Sequence, residues 1–87
     1  MTRLAEYINR RGPTVQVGHR IFTVEGISSD GDIRVATFKT ARTSYQGVLC
    51  INARVRSRPQ AEVWSVIGRG RTLCEFAVDG DAIHPLG

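Results

Sequence analysis

The sequence contains few of the residues on which metal binding and nucleophilic catalysis depend. Two cysteines and two histidines occur in 87 residues. None of the four forms a close pair such as C-x2-C or H-x3-H, the spacing by which one turn presents two zinc ligands. Cys50 and Cys74 lie in apolar segments, which favours small buried thiols over an exposed nucleophile or a disulfide. We therefore expect no metal, no cofactor and no enzymatic activity.

Motifs that bind calcium or nucleotide phosphates are also missing. Asp30-Gly31-Asp32 has the composition of a turn, and no calcium-binding loop ending in Glu follows it. Gly68-Arg69-Gly70-Arg71 lacks the Gly-Lys-Ser/Thr ending of a phosphate-binding loop and a following helix. Both segments therefore predict hairpin turns, the second with two arginines available for phosphate contact.

Long apolar runs are absent as well, since a membrane span needs about 18 or more apolar residues in succession. The N-terminus has neither the apolar segment nor the cleavage site of a secretory signal. We therefore expect a cytoplasmic protein whose thiols stay reduced. With 41% apolar residues in 87, we expect one domain over residues 1–87, with a single modest core and no deep enclosed pocket.

The residues that are abundant favour strands. Nine Val, seven Ile and seven Thr stand against four Leu and one Met, and branching at Cβ suits a pleated surface better than a helix. One helix is predicted, over residues 2–11. Thr2 is a suitable N-cap, apolar residues follow at helical spacing, and Gly12-Pro13 ends the helix.

Five or six short antiparallel strands are predicted between Thr14 and Val78. Their ranges are 14–17, 20–27, 33–39, 47–56, 61–67 and 72–78. Turn residues at 28–32 and 68–71 predict two hairpins. Residues 79–87 are predicted to be irregular.

The segment Gly47–Arg56 shows the clearest period-two alternation, with apolar residues on one side and Arg54 and Arg56 on the other. We expect these two arginines to share the exposed face of one strand, with Arg34 beside them if its strand pairs with theirs. The whole pattern predicts a mainly β fold with a minor α component. It is either a small SH3-like or OB-like barrel or a compact twisted sheet with the helix on one face.

Basic residues form the most informative pattern in the chain. Eleven Arg and one Lys oppose eight acidic residues, which gives a net charge of +4. Between Asp32 and Glu62 there are six basic residues and no acidic one. Such a cluster attracts phosphates, and the planar guanidinium binds them at two points. The predicted binding residues are Arg34, Lys39, Arg42, Tyr45, Arg54, Arg56, Arg58, Arg69 and Arg71.

Aromatic residues divide into predicted core and predicted surface. Phe22, Phe38 and Phe76 lie in predicted strands, and Trp64 is expected to fill the core of so small a domain. Tyr45 falls in the polar segment 37–47, which predicts a loop where an exposed ring can stack on a base. The closely spaced aromatics of an RNA-binding sheet are absent, so direct readout of base sequence is weakly supported.

Three functions are compatible with this pattern. The first hypothesis is a small binding module that contacts nucleic acid, or a nucleoprotein complex, through its basic face. The second is an inhibitor or accessory protein of the phage or plasmid type, which binds an acidic surface of a host protein or of a nuclease or defence complex. The third is a structural subunit of a larger assembly. A GC-rich genome or an ordinary solvated surface would also account for the arginines.

Overall fold

The computed structural model describes residues 2–87 as one helix followed by seven antiparallel strands. The elements are α1 Arg3–Arg11, β1 Thr14–Val17, β2 Arg20–Asp30, β3 Ile33–Lys39, β4 Ser44–Leu49, β5 Glu62–Gly68, β6 Arg71–Asp79 and β7 Ala82–Leu86. Each strand pairs with the next one in the chain, in the order β1 to β7. The result is a nearly closed, barrel-like sheet with 59% of residues in strands, which confirms the predicted mainly β class.

Helix α1 begins and ends as predicted. The Thr2 side chain accepts a hydrogen bond from the Ala5 amide at 3.0 Å, and the Gly12 amide donates to the Ile8 carbonyl at 2.8 Å. These two bonds satisfy backbone groups that the ends of an isolated helix leave without partners. Leu4 is fully buried and anchors the helix in the core.

A carboxylate from a distant strand ties this helix to the barrel. Glu62, at the start of β5, accepts hydrogen bonds from the amides of Arg3 and Leu4, each at 3.0 Å. It also accepts one from Nε1 of Trp64 at 2.8 Å. A negative charge at a helix N-terminus is stabilising because it faces unpaired amide groups and the positive end of the helix dipole.

Both predicted hairpins are present. In the first, β2 extends to Asp30, and its pairing with β3 shifts at a bulge between Glu25 and Ser28. In the second, Gly68 pairs with Arg71, so the turn between β5 and β6 consists of Arg69 and Gly70.

The predicted strand over residues 47–56 is confirmed for residues 47–49 and wrong for residues 50–56. Strand β4 ends at Leu49, and residues 50–61 form turns with one isolated bridge, between Val55 and Arg58. Three of their backbone bonds are local, such as the amide of Ala53 donating to the carbonyl of Cys50 at 3.2 Å, while the amide of Cys50 itself donates to the carbonyl of Val63 on β5 at 2.9 Å. Residues 51–56 alternate between apolar and polar side chains although they form no ladder with another strand. The predicted shared strand face of Arg54 and Arg56 is therefore also wrong.

Two other segments are more regular than predicted. The polar segment 37–47 is mostly strand, with only residues 40–43 forming a turn between β3 and β4. Residues 79–87, predicted to be irregular, contain β7, which brings the strand count to seven. Strand β7 carries Pro85, which pairs with Phe76. Proline is tolerated there because β7 has a hydrogen-bonded neighbour on one side only.

The core is built from the aromatic residues that the sequence indicated. Trp64, Phe22, Phe38 and Phe76 are each at most 1% exposed. The Phe38 ring is central, with centroids 5.7 Å from Phe22 and from Phe76. Cys50 and Cys74 are half-buried free thiols, and burial raises the pKa of Cys74. Within residues 2–87, no helix is long and apolar enough to cross a membrane.

The up-and-down strand order gives the barrel two distinct ends. The turns β1–β2, β3–β4 and β5–β6 lie together at one end, which we call the open end. The connections β2–β3, β4–β5 and β6–β7 lie at the other, which we call the helix end because α1 is fastened there. Glu62 holds the start of α1, and Asp81 of the β6–β7 turn accepts from Nε of Arg10 at 2.9 Å.

Candidate functional site

A groove of about 930 Å³ lies at the open end, between two neighbouring hairpin turns. One wall is the β3–β4 turn with the start of β4, residues 40–46. The other wall comes from residues 67–69, 71 and 73 of the β5–β6 hairpin. Four of the nine predicted binding residues meet in this groove: Arg42, Tyr45, Arg69 and Arg71.

The first wall is a turn fixed by its own hydrogen bonds. The Thr40 amide donates to the Thr43 carbonyl at 2.8 Å. The Thr40 hydroxyl accepts from the amides of Arg42 and Thr43 at 3.3 and 3.2 Å. Threonine side chains commonly stabilise turns in this way. The backbone of Arg42 is thus held in place while its side chain is exposed to solvent.

The second wall is a tight turn with strain at an arginine. Arg69 and Gly70 have φ values of 54° and 77°, the two successive positive values that define a type I′ turn. Arg69 is the one non-glycine residue of the described chain with a positive φ. An L-residue with a Cβ loses roughly 1–2 kcal/mol in this conformation. Asn or Gly would avoid much of this cost, yet the turn carries an exposed arginine.

The sequence predicted a loop at Tyr45, whereas the structure places this residue on strand β4, where it lines the groove. It is a β4 residue paired with Phe38, and its ring makes an edge-to-face contact with Phe22 at 6.3 Å. A Cβ placed on Gly68 would lie 2.6 Å from Cδ1 of this ring. The ring therefore needs a glycine at position 68, and Tyr45 is half-buried in a defined orientation.

The described groove lining holds cations and no carboxylate, and Glu25, which lies beside Thr40 and Ala41 of the first wall, is paired with Lys39. The three turns of the open end contain no carboxylate in the sequence either. Arg20, at the start of β2, adds a further cation at this end. Arg20 is not among the binding residues predicted from the sequence, although it directly follows the β1–β2 turn. Cations concentrated in a concave surface raise the local potential for anions.

The other five predicted binding residues lie outside the groove. Two are paired with carboxylates: Lys39 Nζ is 3.6 Å from Glu25, and Arg58 Nε is 3.9 Å from Asp79. The remaining three are Arg34, Arg54 and Arg56.

Two of those three donate to backbone carbonyls close in sequence. Arg34 donates to the Gly31 carbonyl at 2.8 Å. Arg54 donates to the carbonyls of Ile51 and Ala53 at 3.1 and 2.8 Å. Arg56 belongs to the connection 50–61. The basic segment 34–58 is therefore not one continuous binding face.

A second polar cluster lies away from the groove. Ser65, buried on β5, donates to Glu75 of β6 at 2.5 Å, and its Oγ is 3.2 Å from Sγ of Cys50. Ser65 therefore has hydrogen-bond partners in both Glu75 and Cys50. Among residues 2–87, no buried side-chain nitrogen or oxygen lacks a hydrogen-bond partner. No group of His, Cys, Asp and Glu side chains in the same residues is arranged to hold a metal ion.

Comparison with protein-family models, curated proteins and solved structures gives no significant match to the chain in any of the three. The inference about function therefore depends on the geometry and charge of the groove.

Proposed function

We propose that the protein is a non-enzymatic binding module that contacts nucleic acid through the groove at the open end of its barrel. Arg42 from one wall and Arg69 and Arg71 from the other would bind backbone phosphates. The hydroxyl groups of the first wall would add neutral hydrogen bonds.

The observation that carries this proposal is the absence of carboxylates from the groove lining. Phosphate oxygens are anionic acceptors, and guanidinium groups bind them through two parallel hydrogen bonds. An arginine already paired with a carboxylate must lose that partner before it binds phosphate. Arg42, Arg69 and Arg71 are exposed, and none has a salt bridge within 4.0 Å.

The groove contains too few cations to bind nucleic acid tightly on its own. Three phosphate contacts release about three counterions, so the logarithm of affinity should fall against the logarithm of salt with a slope of about −2 for a single strand. We therefore expect weak binding that is clear at low ionic strength and is lost near physiological salt.

The test is fluorescence anisotropy with labelled oligonucleotides over a salt series from about 50 to about 200 mM. Two charge-matched triple variants locate the interaction. R42Q/R69Q/R71Q removes the groove cations, and R34Q/R54Q/R56Q removes three cations elsewhere. We expect the first variant to lose at least tenfold in affinity, on the order of 1.4 kcal/mol, and the second to change little.

Equal losses in the two variants would indicate attraction to net charge alone and would contradict the proposed site. No binding by the unmodified protein at the lowest salt would contradict the proposed function itself.

A further inference from the structure

The contacts of the Tyr45 ring leave part of it available for a ligand. A Cβ on Gly68 would lie 2.6 and 2.7 Å from Cδ1 and Cε1 but 3.9 Å from Cγ. These distances describe an approach to one edge of the ring, in its plane. Phe22 makes a contact with an interplanar angle of 88°. Such a contact covers one ring face at most, and Tyr45 is half-buried and lines the groove, so part of the ring is accessible there.

Tyr45 also lies between the cations rather than beside them. Arg42 precedes it by three residues on the first wall, while Arg69 and Arg71 stand on the opposite wall. A strand of nucleic acid that crosses the groove would therefore meet arginine, tyrosine and arginine in turn. Proteins that bind single strands combine these same elements, a positive groove for the backbone and aromatic rings for the bases.

We infer that the groove takes a single-stranded polynucleotide, with one base stacked on Tyr45 and the flanking phosphates on Arg42 and on the Arg69–Arg71 turn. This inference rests on the proposed function and adds the strandedness of the ligand. In a duplex the base faces are stacked on one another and cannot reach a ring that lines a groove. In a single strand a base can turn outward and stack on an aromatic side chain.

The experiment compares four labelled ligands of equal length, about twelve nucleotides. They are oligothymidylate, oligouridylate, an abasic oligomer with the same phosphates, and a DNA duplex. We expect the two single strands with bases to bind about tenfold more tightly than the abasic oligomer, because each of them can stack a base on the ring of Tyr45.

Two variants of Tyr45 assign the effect to the ring. Tyr45→Phe keeps the aromatic faces and should retain the preference for bases. Tyr45→Leu keeps apolar packing against Phe22 but offers no ring, so it should bind all single strands as weakly as the abasic oligomer. Thermal denaturation of both variants verifies that each is folded under the assay conditions.

The outcomes separate the two proposals. Equal binding of oligothymidylate and the abasic oligomer by the unmodified protein would overturn the stacking inference while phosphate binding stands. Tighter binding of the duplex would overturn it as well. Failure of all four ligands to bind would overturn the proposed function.

Discussion

The two ends of the barrel use the same amino acid, arginine, in different ways. At the helix end, Arg10 of α1 meets Asp81 of the β6–β7 turn at 2.9 Å, and Arg58 of the connection 50–61 meets Asp79 at the end of β6 at 3.9 Å. At the open end, Arg42, Arg69 and Arg71 share a groove lined by no carboxylate among residues 2–87. Arginine is paired with a carboxylate of the fold at one end and remains available for an anion at the other.

We therefore expect the residues that matter for stability to lie at the helix end and the residues that matter for binding to lie at the open end. Changes at the helix end should alter the free energy of unfolding with little effect on affinity for an anion. Changes at the open end should alter that affinity, and among them only a change that relieves the strain at Arg69 should also alter the free energy of unfolding. Each prediction below tests that division, beginning with the largest expected effect.

The largest effect is expected at Glu62. Glu62→Ala removes the acceptor of the Arg3 and Leu4 amides and of the buried Trp64 Nε1. Leaving such donors without partners, together with loss of the charge at the helix N-terminus, should cost about 3 kcal/mol of unfolding free energy. Urea denaturation followed by Trp64 fluorescence measures it.

Asp32→Ala is the matched control for Glu62→Ala, since it removes an equal charge from an exposed turn at the same end. It should cost less than about 0.5 kcal/mol. If the two variants were equally stable, Glu62 would not be the link between the helix and the barrel.

A smaller effect of opposite sign is expected at Arg69. Arg69→Asn places a residue suited to positive φ in the type I′ turn, so the free energy of unfolding should rise by about 1 kcal/mol. The same change removes one groove cation and should weaken oligonucleotide binding by roughly fivefold. Chemical denaturation and anisotropy on the same preparation measure both quantities.

Arg54→Asn is the control for Arg69→Asn, because it removes an arginine from the connection 50–61 without relieving a positive φ. It should neither stabilise the protein nor weaken binding. An Arg69→Asn protein that was more stable but bound equally well would show that the strain at position 69 serves no ligand.

The smallest effect is expected for the ion pair between Arg10 and Asp81, since both side chains are about half exposed. A double-mutant cycle of Arg10→Gln and Asp81→Asn should give a coupling free energy of about 0.5 kcal/mol or less, reduced further at high salt. A coupling free energy above about 2 kcal/mol would mean that this pair, and not Glu62, holds the helix.

The features that were predicted correctly from the sequence are those determined by neighbouring residues. The N-cap at Thr2, the stop at Gly12-Pro13 and the turn at Arg69-Gly70 each depend on a few adjacent residues. The buried aromatic residues were predictable because large apolar side chains in strands have no better place in so small a domain.

The errors arise from contacts between distant residues. Alternating polarity in 47–56 is compatible with a strand, but after Leu49 residues 50–56 form no ladder with another strand: the Cys50 amide bonds to Val63 of β5, and Val55 forms one bridge to Arg58. Strand β7 forms because its residues hydrogen-bond to the edge of β6. Pro85 made this strand hard to recognise in the sequence, because proline is uncommon inside strands.

Contacts between distant residues also limited the prediction of the binding site. Arg58 is neutralised by Asp79 and Lys39 by Glu25, whereas Arg42 has no such partner. These pairings depend on the folded arrangement of β2, β3 and β6. A count of charges along the chain therefore included the three arginines that line the groove, but could not separate them from the other five basic residues that were predicted to bind.

The most direct test of the account is to locate bound oligothymidylate by NMR. Backbone amide shifts of the isotope-labelled protein would be followed during a titration at low salt. We predict that the largest changes cluster in residues 40–46 and 67–73, with little change in residues 50–61. Largest changes in residues 50–61, or changes spread evenly over both ends of the barrel, would contradict the assignment of binding to the open end.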